Sequence, residues 1–169
     1  MAWTSPKTWS SEPLTSLDLN TYVRDNQNYL KDRLDNSAGS LVSGDTFLST
    51  TSNQFVDVDA DKLSLTLVTH GGDVLVGFTG TVQCTRPGGA SYFNVAVDDV
   101  DYVADDGIVR DTAVNTTGAN RHAPLSFVVL ISDLGAGSHT FKLRWKTSGR
   151  NTSKMDVVAL HPQFWAKEI

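Results

Sequence analysis

The chain is 169 residues long, 40% hydrophobic, and carries 14 Lys or Arg against 19 Asp or Glu, a formal charge of −5. That length fits one domain with an extension, and the acidic balance argues against a nucleic-acid binder, whose contact face is basic. No apolar run approaches the roughly 20 residues that cross a bilayer, so no membrane insertion is expected. Cys84 stands alone, which excludes an intrachain disulfide and a cysteine-cluster metal site.

Residues 1–14 form a polar leader containing Trp3, Pro6, Trp9 and Leu14. It lacks the basic start and continuous apolar run of a secretion signal. Its two tryptophans stand outside any periodic pattern, so the leader reads as an extended attachment arm. Either a partner or the chain's own body receives it. Pro6 stiffens the backbone between the two rings, which lowers the entropy lost on docking. Thr15 is placed to cap a helix by accepting from the amide of Asp18, with Leu14 and Leu19 at the positions of a hydrophobic staple. The helix is expected from about Ser16 to Leu34, fraying in "DNSAGS". Leu19, Tyr22, Val23, Tyr29, Leu30 and Leu34 recur at spacings of three and four, with Asn26 and Arg33 on or beside the stripe. So narrow a stripe suits a helix laid on a sheet or a short oligomer seam, in which Asn26 would set register.

Beyond residue 40 the period changes from helical to two. "KLSLTLV" puts Leu63, Leu65 and Leu67 on one face, and "DVLVGFTGTVQCT" does the same with Val74, Val76, Phe78, Val82 and Cys84. Gly77 and Gly80 within that run signal close packing or a bend. "YFNVAVD", "LSFVVLI" and "HTFKLRWKT" turn inward Phe93, Val95 and Val97, then Leu125, Phe127, Val129 and Ile131, then Phe141, Leu143 and Trp145. Lys142, Arg144 and Lys146 face outward. "KMDVVALH" and "QFWAK" close the chain. Turn chemistry separates the runs at "THGGD", "TRPGGAS", "DDG", "LGAGS" and "TSGRNTS". Eight to ten strands without a second helix define a mainly β protein, an antiparallel β-sandwich of jelly-roll type, over residues 41–169. The arm and helix occupy residues 1–40.

No pattern in the chain calls for catalysis. "DVDAD" at 57–61 starts like a calcium loop, but Lys62 and Val68 stand where that loop needs Gly and Glu. Asp98, Asp99, Asp101, Asp105 and Asp106 crowd together without distinctive ligand spacing, and read as a polar strand edge and turn. His70, His122, His139 and His161 make no metal pair, and neither a G-x-S-x-G elbow nor a phosphate loop occurs. "NTT" at 115–117 and "NTS" at 151–153 match the glycosylation pattern only by the abundance of Asn and Thr in loops. Residues 45–111 hold 11 Asp against three Lys or Arg, whereas residues 121–169 hold seven basic and three acidic residues. In an antiparallel fold these segments interleave and the asymmetry should cancel. No catalytic residue, cofactor or metal is expected.

The leader resembles the amino terminus of many tailed-bacteriophage structural proteins, of the type MAWT-x-P-x-TW-x-x-E-x-LT-x-x-x-LN-x-x-x-RDN-x-x-x-LK. Met1 to Thr4, Pro6, Thr8, Trp9, Glu12, Leu14, Thr15, Leu19, Asn20, Arg24, Asp25, Asn26, Leu30 and Lys31 carry the match. "LGAGSHTFKLRWKTSG" at 134–149 is similar to β-modules that end such proteins and to trimeric sandwiches of the C1q and tumour-necrosis-factor kind. The resemblance implies a non-enzymatic virion component assembled in the host cytoplasm. It would be a tail or fibre appendage or a capsid decoration protein, homotrimeric and joined to other virion proteins through the arm. Leu19, Tyr22, Val23, Asn26 and Leu30 would then form the oligomer helix. A carbohydrate-binding module for a host-surface glycan is the rival reading, with Tyr92, Tyr102 and Trp165 as its aromatics.

Overall fold

The computed structural model describes residues 4, 5, 7, 8, 13–112, 122–149 and 151–169. Trp3, Pro6 and Trp9, three of the four expected arm residues, lie outside the described residues. Thr15 caps the helix as expected: its hydroxyl accepts from the Asp18 amide at 3.1 Å while the Asp18 carboxylate accepts from the Thr15 amide at 3.1 Å. Both ends of a capping box are therefore in place. Leu14 and Leu19 remain largely exposed and do not close as a buried staple.

α1 (Ser16–Leu19), a π-helical stretch (Asn20–Arg24) and α2 (Asp25–Asp35) run on as one helix. In the wider turn the amide of Asp25 donates to the carbonyl of Asn20, five residues back. "DNSAGS", expected to fray, instead turns sharply at Asn36 into β1 (Ser37–Leu41). The sheet thus begins before residue 40.

Nine further strands follow among the described residues: β2 (Leu48–Thr50), β3 (Val56–Asp57), β4 (Ser64–Cys84), β5 (Ala90–Val97), β6 (Val100–Asp101), β7 (Val109–Thr112), β8 (His122–Thr147), β9 (Ser153–Met155) and β10 (Gln163–Glu168). Their main order is β1-β10-β4-β8-β5-β6, and every pairing is antiparallel. The fold is mainly β, an antiparallel β-sandwich preceded by a helix.

Two segments read from sequence as turns are not turns. "THGGD" lies inside β4 and "LGAGS" inside β8, and the strands pair from Ser64↔Lys142 through Gln83↔His122. The glycines bend the ladder without ending it. The register shifts between Gly72 and Val74, and Gly71, Gly72, Asp133 and Gly137 all take positive φ there. A bulge of this kind sharpens strand bend and twist. His122 opens β8.

The bend lets one sheet close over itself. Phe78 belongs to the half of β4 beyond the bulge, beside Phe127 at 5.7 Å between ring centroids. Phe93 belongs to β5, on the other half, beside Trp145 at 6.1 Å. Yet Phe78 and Phe93 stack across the interior at 6.2 Å with planes 13° apart. The inward residues expected from alternation fill this core, including Leu63, Leu65, Leu67, Val74, Val76, Phe141 and Leu143. Gly77 and Gly80 mark close packing as expected. A Cβ on Gly77 would lie 2.3 Å from the Trp165 ring, and one on Gly80 2.6 Å from Phe78.

Trp145 is 1% exposed, so Trp145→Ala should cost about 3–5 kcal/mol, the usual range for a truncated core aromatic. Lys146, next in sequence, faces outward against the Phe55 and Tyr92 rings at 4.8 and 5.2 Å. Lys146→Ala should cost about 1 kcal/mol or less, as for exposed cation–π contacts. Urea denaturation of the two variants checks the difference, and equal losses would contradict this strand register.

Candidate functional site

The arm and helix form one unit. The backbone of Thr4 and the side chain of Asn26 exchange two hydrogen bonds, 2.9 Å into Asn26 Oδ1 and 2.8 Å from Asn26 Nδ2. Lys7 reaches Asp18 at 3.2 Å, and the Thr15 hydroxyl and amide, followed by that lysine, hold the Asp18 carboxyl below its ordinary value. These described parts of the arm therefore fold back along the helix. Asn26 is buried by this contact, so its carboxamide is already occupied within a single chain.

The helix presents two neighbouring stripes. Asp18, Tyr22, Asn26, Tyr29 and Arg33 are shielded, Asp18 and Asn26 beside the arm and Tyr29 and Arg33 beside the sandwich. Leu19, Val23, Leu30 and Leu34 are open to solvent, with Leu30 49% and Leu34 65% exposed. The five expected oligomer residues thus divide: Leu19, Val23 and Leu30 lie on the open stripe, Tyr22 and Asn26 on the shielded one. A helix laid flat on its own sheet would have buried the aliphatic stripe. Here the contacts to the sandwich gather at the helix C-terminal end.

Those contacts centre on Glu168, which is 0% exposed at the end of β10. Its carboxylate accepts from the His70 amide at 2.9 Å and from Asn36 Nδ2 at 2.6 Å. His70 Nδ1 stands 3.0 Å away and Arg33 Nε 3.5 Å. Arg33 also donates to the carbonyl of Ile169 at 2.9 Å, and Tyr29 meets the His70 ring edge-on at 5.8 Å. Gly72 makes room for this guanidinium, since a Cβ there would lie 2.6 Å from Arg33 Nη2. Burial pushes the Glu168 carboxyl up, but the His70 and Asn36 side-chain bonds and the His70 amide outweigh it and hold the group below its ordinary value. A buried charge with so many donors is satisfied, and loss of any one donor is expensive.

The two outer faces of the sandwich differ. On one, the outward Lys142, Arg144 and Lys146 of β8 meet the acidic run. Lys142 pairs with Asp99 at 2.5 Å, Arg144 with Asp57 at 3.2 Å and Asp101 at 3.0 Å, and Lys146 approaches Asp106 at 3.8 Å. The sequence-distant charges interleave as expected. Asp98 and Asp99, both at positive φ, make the two-residue turn between β5 and β6. Among the described residues no group of three His, Cys, Asp or Glu is gathered for a metal. In "DVDAD", Asp59 accepts from the amides of Asp61 and Lys62, closing a local turn.

The opposite outer face has an apolar centre flanked by the polar Gln163, Thr79 and Ser126 on one side and by exposed Lys167 on the other. Register places Gly39, Trp165, Gly77 and Val128 in one row across β1, β10, β4 and β8, with Leu75 beside Leu130 in the next. The indole of Trp165 lies over Gly77, and Val128 is 57% exposed. Neither outer face contains all three aromatics proposed for sugar binding. Lys146 and Arg110 stand over Tyr92, and the Tyr102 hydroxyl donates to the carbonyl of Leu130 at 2.8 Å. Asn151 of "NTS" is 2% exposed, with its Oδ1 accepting from the Thr85 and Arg86 amides, so the folded chain offers no acceptor there.

No protein-family model and no curated protein matches the chain. Among solved structures, it is similar to dimeric latent PorU from Porphyromonas gingivalis at 11% identity and a TM-score of 0.41, over 79% of this chain and 13% of that one. The chain therefore spans about an eighth of that protein, and so low a score carries no argument about this one.

Glu168→Gln should loosen the helix while sparing the core, because an amide nitrogen replaces one accepting oxygen opposite Asn36. About 1–3 kcal/mol should be lost locally, read as faster amide exchange over Asp25–Asp35 with unchanged protection in β4 and β8. Equal loss in both would show that Glu168 belongs to the core's own stability.

A second test concerns His139, whose Nδ1 stands 2.8 Å from Asp98 and whose Nε2 stands 2.9 Å from the carbonyl of Gly135. Two acceptors favour the doubly protonated ring. The Asp98 bond, above all, raises His139 over its ordinary 6.5. Asp98 is held below 3.8 by the Thr140 amide first and His139 second. The histidine's contribution is complete below 6.5 and is lost as pH rises through the raised value. The aspartate's is complete above 3.8 and is lost as pH falls through the lowered value. Proton NMR should show His139 titrating above 6.5 and returning towards it in Asp98→Asn; no change in that variant would contradict the pairing.

Proposed function

We propose that the protein is a non-enzymatic structural component of a bacteriophage particle, carried on the surface as a tail or fibre appendage or as capsid decoration. The leader resemblance suggests the class. The observation that supports a connector role is the arm–helix unit, clipped together by Asn26 and Thr4 and mounted on the sandwich by its far end. Such a unit leaves an aliphatic stripe for partners while the β-domain stands apart.

In this reading the protein self-associates as a homotrimer, the leader joins it to other virion proteins, and the β-domain faces outward. The residues with acid–base chemistry at the joint and on the charged face are engaged in holding the fold, as Glu168, His70 and His139 are. A host-surface glycan remains the partner of the rival reading, and the separated aromatics give it no shared platform.

The test is a chain beginning at Asn36, which keeps β1 and the Asn36 bond to Glu168. Its sandwich should stay folded by circular dichroism and fail to join particles in an add-back assay. Normal incorporation would remove the attachment role, and loss of folding would show that the arm and helix serve the sandwich itself.

A further inference from the structure

Two turns stand side by side at one end of the sandwich. The one after β4 has Pro87 and then Gly88, at φ +73°, in its centre, and the Gly89 amide closes it by donating to the Arg86 carbonyl at 3.0 Å. The one after β8 contains Gly149 at φ +60° and is closed by the Asn151 amide, which donates to the Ser148 carbonyl at 3.3 Å. Asn151 ties the two together. Its Oδ1 accepts from the Arg86 amide at 3.2 Å, and its Nδ2 donates to the Thr147 hydroxyl at 2.9 Å. Between the turns lies a crevice of about 190 Å³, lined by Arg86, Gly88, Ser148 and Gly149 among others. We propose that this crevice binds a small oxyanion, a carboxylate or a phosphate. The inference names a ligand for the outward end of the β-domain and rests on the reading above only for where that ligand is met.

The groups left open in the crevice are donors. Among the described residues, nothing engages the exposed Arg86 guanidinium or the amides of Gly88 and Gly149. The Ser148 oxygen accepts from the Ala90 amide at 2.9 Å, which leaves its own hydrogen to give. No carboxylate lines the crevice, so a cation finds no charged ligand there. An oxyanion meets a guanidinium and unbonded backbone N–H groups, the donors that hold carboxylate and phosphate oxygens. A Cβ on Gly88 or Gly149 would meet nothing within 4 Å, so both stretches of backbone are open to close approach. The volume sets the size of the guest: it falls below the roughly 300 Å³ at which pockets for drug-sized ligands begin, and suits one small group.

The register puts this crevice far from the mounted helix. The Glu168 joint includes His70, beside the bulge in β4, and ten residues then separate Val74 from Cys84 at the other end of that strand. At the usual rise those ten residues span about 33 Å. Thr147, the last residue of β8, lies at the same end, opposite Ser91 near the start of β5. The helix and the crevice therefore occupy opposite ends of the sandwich.

Proton–nitrogen NMR of the full chain, titrated separately with sodium phosphate and sodium acetate at fixed pH, tests the inference. Saturable shifts should appear at the Gly88 and Gly149 amides and at the Arg86 Nε–H, and the tighter anion identifies the acid group of the natural ligand. Arg86→Ala should weaken binding about tenfold or more, as for loss of a charge-assisted hydrogen bond. Arg110→Ala, at an exposed arginine outside the crevice, should leave binding unchanged. Shifts that sodium chloride reproduces at equal ionic strength, that persist in Arg86→Ala, or that are missing with both anions overturn the inference. Anion binding by a chain that never joins particles keeps the inference and removes the reading above; joining without anion binding does the reverse.

Discussion

The ladder between β4 and β8 is the constraint on which the rest of this structure depends. It continues through a bulge at Gly72 and Val74, and the bend there lets one continuous sheet fold over its own core. Phe78 and Phe93 meet only because of that closure. Hydrophobic burial drives the closure, and the backbone bonds of a long ladder keep the register from slipping, since a shift by one residue would turn Leu65, Val76 or Leu143 to solvent.

Closure also gives the two outer faces different chemistry. The strand that turns Phe141, Leu143 and Trp145 inward must turn Lys142, Arg144 and Lys146 outward, and the acidic loop after β5 neutralises them. Individual exposed pairs contribute little, and together they balance the charge of that face. The face around Trp165 has no such mesh, only Lys167 at its side. Gly77 leaves room there for the Trp165 indole, which lies where a side chain would otherwise stand.

Much of this was legible in the sequence because alternation and capping are local. Thr15, the inward residues of five strands and the close packing at Gly77 and Gly80 all follow from spacing and side-chain type. "THGGD" and "LGAGS" misled for the same reason. Glycine records that the backbone bends, and only the pairing of Thr69 with Gly137 and Gly72 with Leu134 shows that it bends without stopping. The joint at Glu168 was invisible, since a lone glutamate near a chain end carries no pattern. Asn26 was recognised as unusual, but its partner is the backbone of Thr4, which a search for side-chain motifs does not reveal.

The joint has a consequence for the order of assembly. Asn36 and Glu168 meet across 132 residues of chain. During synthesis the helix emerges long before the strand that will hold it, so its early life is that of an isolated, marginal helix. Its orientation is fixed only when β10 enters the sheet between β1 and β4. The mounted helix is thus a late product of folding, and a chain with an unfinished sandwich does not hold it in its final orientation.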